Sequence, residues 1–159
     1  MKGKTAFCLV LILALAAAQF AAAQEGETYE TQKPVYNVTL VRVHPNMSSN
    51  YLNNLKRTWV NGVKAAMEEG LTTDYKIYQT VNGGDQGYNL ILVTEHPDLA
   101  AFDATAELRE KFDRIDAKVE EMISDEETDE ITEKVYPNIR DILSDRWVRE
   151  IKFIEAESE

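Results

Sequence analysis

Cysteine is almost missing from this chain: 159 residues contain one, Cys8, and it sits in the apolar amino-terminal stretch. Without the first 23 residues the chain has no thiol, which excludes a disulfide framework, a cysteine-ligated metal and a thiol nucleophile. Histidine is scarce too, with only His44 and His96, and two imidazoles with no clear third ligand are a weak metal signal. There is no glycine-rich phosphate loop, Gly-x-Ser-x-Gly elbow or His-Glu-x-x-His helix. The common nucleophilic hydrolases therefore have no support, and no cofactor or metal is indicated. Positive charge is in short supply, 17 Lys and Arg against 28 Asp and Glu. Nucleic acid and anionic membrane surfaces are poor partners for such a chain. The apolar run Phe7 to Ala18 has 12 residues, short of the roughly 20 that cross a bilayer.

What that stretch does resemble is an export signal. Lys2 and Lys4 precede it, and Ala21-Ala22-Ala23 forms a small-residue cleavage pattern before Gln24, so residues 1–23 read as a signal peptide cut after Ala23. The expected location is secreted or periplasmic, with no membrane attachment after cleavage. The remaining 136 residues suit one domain with a single core. Their net charge is near −13, because the leader holds two of the 17 basic residues. Residues 24–34 lack periodicity and read as a flexible lead-in, residues 35–154 as the folded domain, and 155–159 as an acidic tail.

Within the domain, Tyr36, Val38 and Leu40 alternate with Val41 and Val43, the pattern of a strand apolar on both sides. Pro45 ends it. Asn46, Ser48 or Ser49 can cap a helix with Leu52, Leu55, Trp59, Val63, Ala66 and Met67 inward, closed by Gly70. Residues 75–81 and 88–94 read as an antiparallel hairpin around Asn82-Gly83-Gly84-Asp85-Gln86-Gly87. A long helix from Leu99 to Met122 follows. Ser124 and Glu127 resemble a capping box that opens a third helix with Ile131, Val135, Ile139 and Leu143, which Pro137 kinks or interrupts. Residues 146–154 form the last strand. Between Glu107 and Lys134 there are 12 acidic and 5 basic residues, most of them a solvated helical face. Residues 124–130 lack the glycine of a calcium loop.

Residues 36–47 align with 88–99 at a constant offset of 52, and six of twelve pairs are identical, including His44-Pro45 with His96-Pro97. Two such units suggest a duplicated β-α-β. The expected fold class is α+β: a ferredoxin-like four-stranded antiparallel sheet, helices on one face, an extra acidic helix before the last strand. The sheet's other face would then be open and apolar, and a second copy is the simplest cover. At this level the chain resembles the dimeric α/β-barrel proteins, which include antibiotic-biosynthesis-type monooxygenases, stress-responsive barrel proteins and haem-handling relatives. The resemblance covers residues 35–154 in element order and implies a homodimer. It carries over no catalytic residue.

Reading strands one and three as parallel neighbours brings His44 and His96 together at one sheet edge, where imidazoles could act as base, ligand or donor. The plainer reading, which we favour, is that each His-Pro step ends a strand. In the oxygenases the chain resembles, a pocket between sheet and helices holds an aromatic substrate. Tyr51, Trp59, Tyr78, Tyr88 and Trp147 are the candidate lining residues; core packing is the reading we favour for Trp59, and it explains the other rings equally well. The leading expectation is an exported homodimer that binds a small apolar or aromatic molecule. The alternatives are a cofactor-independent monooxygenase and an acidic interaction domain.

Overall fold

The computed structural model describes residues 28–81 and 87–154. The proposed leader, residues 24–27, the turn at 82–86 and the acidic tail lie outside the described residues. Strand β1 (Tyr29–Val43) leads to helix α1 (residues 48–68), then β2 (Asp74–Gln79) and β3 (Leu90–His96). A 3-10 turn at Leu99–Phe102, helix α2 (Ala106–Glu120) and helix α3 (residues 125–139) precede β4 (Arg140–Phe153). The strand order is β2-β3-β1-β4. With this element order, that is the ferredoxin-like arrangement.

The described residues form two compact units, residues 28–31 with 151–154 and residues 32–150. In the first, the Ile154 N–H donates to the Thr28 carbonyl (2.9 Å). The second carries the sheet core and the helices.

Strand β1 starts at Tyr29, so residues 29–34, expected as lead-in, are extended strand. Single-strand periodicity missed them because Thr31, Gln32 and Lys33 carry no apolar alternation. Strand β4 likewise begins six residues ahead of expectation. There the tertiary structure overrides a helical pattern, as the His44 N–H donates to the Ile139 carbonyl (2.9 Å) and Arg42 pairs with Asp141 (3.1 Å). Leu143, expected inside a helix, is therefore in strand. The β2–β3 hairpin pairs antiparallel from Asp74↔Glu95 to Gln79↔Leu90. Val81, expected as the last residue of that strand, lies beyond it and is exposed.

One sheet face is covered. Val41 and Val43 of β1 and Leu90 and Leu92 of β3 form a core with Tyr51, Leu55, Ile123, Ile131, Tyr136 and Ile139. A second cluster, Ala65, Leu71 and Ile115, packs α1 on α2. Arg114 donates to both carboxylate oxygens of Glu69 across that contact.

Both flanking helices contain a π-helical stretch. In α1, Lys56–Val60 inserts extra residues into the turns and re-phases the buried stripe, with Tyr51 and Leu55 inside before it, Val60 at its end and Val63 and Ala65 after. This is why the expected stripe was off, with Leu52 and Met67 partly exposed. In α3, Glu130–Val135 is π-helical just ahead of Pro137. Proline supplies no N–H to the ladder, so the hydrogen-bond pattern opens there instead of breaking the helix. The Ser124 cap forms, accepting from the Glu127 N–H. Helix α2 starts later than expected, at the Thr105 cap (Leu108 N–H to Oγ1, 3.1 Å).

Candidate functional site

Strands β1 and β3 are adjacent but antiparallel, paired from Val35↔His96 to Val41↔Leu90. This overturns the expected convergence of the histidines. His96 lies opposite Val35 while His44 follows Val43 nine residues along β1, about 30 Å away at 3.3 Å per residue. The register also removes the residue-level repeat. Leu92 is buried under the helices, yet its aligned partner Leu40 pairs with Ile91 on the other face. The two β-α-β units exist, but an alignment at offset 52 matches residues on opposite faces. Strands apolar on both sides do not fix their own phase, and a one-residue slip goes unseen in sequence.

His96 is buried, and both its nitrogens are engaged. A carbonyl only accepts, so Nδ1–H donates to Leu71 O (2.7 Å), leaving Nε2 to accept from the Thr94 hydroxyl (2.9 Å). Its ring is 5.0 Å from Phe102 and 5.2 Å from Trp147, which are themselves 4.5 Å apart. These three rings cluster where β3 ends.

His44 is at the other end, half-exposed. Its Nε2 meets Asp141 Oδ2 and its Nδ1 the Asn138 carbonyl, each at 3.1 Å. Asp141 also accepts from Arg42 Nε. Hydrogen bonds from His44 and then Arg42 hold the Asp141 carboxyl below its ordinary value. A depressed carboxyl stabilises the fold above its unfolded value and loses that contribution as pH falls through the folded one. Asp141→Asn is therefore expected to lower the thermal midpoint at pH 7 and to converge with the parent protein in acid. Equal midpoints at pH 7 would show the pair to be inert.

The remaining candidates do not form one site. Trp59 is half-buried and packs edge-on to Tyr75 at 5.7 Å. Tyr78 is exposed on β2 and Tyr88 half-buried before β3. Tyr51 is fully buried in α1, and its hydroxyl has no partner among the described residues. The rings of Tyr51 and Tyr136 are 5.5 Å apart, and the Arg140 guanidinium lies 5.6 Å from the first and 4.3 Å from the second. The Tyr136 hydroxyl shares a 2.7 Å hydrogen bond with Thr58. Beside this group a cleft of about 190 Å3 is lined by Thr132, Tyr136, Pro137, Arg140 and Ile142. Sequence reasoning found Tyr51 but missed Tyr136 and Arg140, because both lie where a helix turns unexpectedly into strand.

Burial raises the Tyr51 phenol from 10.0 to about 12. The unfolded chain then deprotonates first, so stability is full below pH 10 and falls as pH rises toward 12. Tyr51→Phe removes that alkaline loss and, by deleting an unpaired buried hydroxyl, is expected to leave stability at pH 7 within about 1 kcal/mol or slightly raised. Urea titrations at pH 7 and pH 11 check it. A large loss at pH 7 would reveal a partner for the hydroxyl.

Among the described residues no group of three or more His, Cys, Asp and Glu side chains could hold a metal, and no helix is long and apolar enough to cross a membrane.

No protein-family model matches the chain, and no curated protein matches it in sequence. Solved structures do. A protein from Shewanella oneidensis is 13% identical with a TM-score of 0.43, over 80% of this chain and 99% of that one. A dimeric protein of unknown function and ferredoxin-like fold from Bacteroides fragilis is 10% identical with a TM-score of 0.36, over 79% of this chain and 100% of that one. A dimeric ferredoxin-like protein from an uncultured marine organism is 11% identical with a TM-score of 0.40, over 82% and 95%.

Proposed function

We propose that this chain is exported and works as a homodimer, joined through the open sheet face, that binds a small apolar or aromatic molecule between sheet and helices. The carrying observation is that face. Val38 pairs with Val93 and Leu40 with Ile91, and Tyr78 lies beside Ile91 on β2, all pointing away from the helices. Trp147 is turned toward His96 on the covered side, so Val148, its neighbour in the strand, projects to the open side. Four strands over seven residues span roughly 19 by 23 Å, an uncovered area at the upper end for a soluble monomer. The paired charges at its borders, Arg42 with Asp141 and Lys76 with Asp74, suit the polar rim of an interface around an apolar centre. Two of the similar structures are described as dimeric.

The basic residues before a short apolar run and the alanine cleavage pattern support export. The cleft at Tyr136 and Arg140 supports the ligand, and of the candidate lining residues only Tyr51 belongs to that group. Light scattering of the purified protein, with a thermal-shift screen of small aromatic compounds, tests the reading. It predicts twice the chain mass and a compound that raises the midpoint. A monomer at all concentrations that no compound stabilises defeats it.

A further inference from the structure

Among the described residues Arg140 is the least conventional cation. Seven of the described cations, Arg42, Arg114 and Lys118 among them, face a carboxylate, and the other unpaired ones apart from Arg140 are exposed to water. Arg140, in a chain with 28 acidic residues, pairs with none among the described residues. It rests on the faces of Tyr136 and Tyr51 instead, and its Nε is buried without an acceptor. Aromatic faces offset part of the cost of drawing a cation out of water, but they accept no hydrogen bond in the guanidinium plane. Its two terminal nitrogens, unlike Nε, are not buried and have no acceptor among the described residues, so they are the atoms open to an anion from outside the chain.

The cleft it lines defines the anion. At about 190 Å3 it has room for one ring, since an apolar cavity of about 150 Å3 accepts benzene. Pro137, Ile142 and the Tyr136 ring give it an apolar wall. A single guanidinium balances one negative charge, and its planar fork matches a carboxylate in two parallel hydrogen bonds. The acidic chain around it, net −11, disfavours phosphate dianions.

We propose that the cleft binds a small aromatic or branched-chain monocarboxylate, its carboxylate held by Arg140 and its apolar body against Pro137, Ile142 and Tyr136. This rests on the small-molecule reading above and names its chemistry.

Calorimetric titration of the purified protein with benzoate as probe, and with benzamide and inorganic phosphate as controls, tests it. Benzoate should bind saturably, and benzamide and phosphate at least about tenfold more weakly. Arg140→Gln should weaken benzoate about tenfold or more. Because that change could disturb the tyrosine stack, Ile142→Glu is the second variant: Ile142 is exposed, and the new carboxylate would occupy Arg140, blocking benzoate while the thermal midpoint holds or rises. Benzamide binding as well as benzoate, or benzoate binding unchanged in both variants, overturns the proposal. Neutral aromatics binding where benzoate does not would overturn it and spare the broader reading; no binding by any compound removes both.

Discussion

Replacing His96 by alanine is expected to lower the unfolding free energy by about 3 to 4 kcal/mol, the range for truncating a buried ring together with orphaning its partners. The loss has two sources. The Leu71 carbonyl and the Thr94 hydroxyl lose an imidazole at 2.7 and 2.9 Å, and Leu71 is itself buried, so water cannot freely replace the donor. The ring also leaves its place against the Phe102 and Trp147 pair, and that cluster loses its packing. Urea unfolding followed by tryptophan fluorescence reads it, as a lower midpoint with an unchanged slope. His44→Ala, at the half-exposed end, should cost within about 1 kcal/mol, as surface ion pairs do. Equal effects at the two positions would mean that His96 does not do the structural work its surroundings imply.

The second large effect concerns association. Val93 lies between Val38 of β1 and Lys76 of β2 on the face away from the helices. In a monomer, Val93→Arg there keeps its guanidinium in water and costs little. Against a second copy it buries a charge with no partner, a penalty of several kcal/mol per interface, which at about 1.4 kcal/mol per decade weakens association by a hundredfold or more. Light scattering should then give the mass of one chain where the parent protein gives two, with an unchanged circular dichroism spectrum. A parent protein already monomeric at high concentration, or a variant still dimeric, would rule out this face as the interface.

The sequence showed the elements better than their partners. The strand from Tyr36 to Val43, the hairpin, and the Ser124 cap are legible because alternation, turn residues and capping are local properties. The helix stripes came out slightly rotated, since a π-helical turn at Lys56–Val60 leaves no mark in apolar spacing. The start of β4 was hidden for a different reason. Ile139 and Leu143 keep helical spacing, yet the chain between them turns into strand because the carbonyl of Ile139 and the carboxylate of Asp141 are claimed by residues of β1.

The same division holds for the candidate site. Tyr51 could be chosen from its place on a helix, but nothing local says that Tyr136 and Arg140, far along the chain, meet its ring. By itself the sequence determined the mostly acidic, thiol-poor character of the chain, the order of strands and helices, and the two-sided apolarity that calls for a cover. Only the tertiary structure decided that β1 and β3 run in opposite directions, sending the two histidines to opposite ends. Alternation with period two is the same whichever way a strand runs, so direction and phase are set only by pairing with a neighbour.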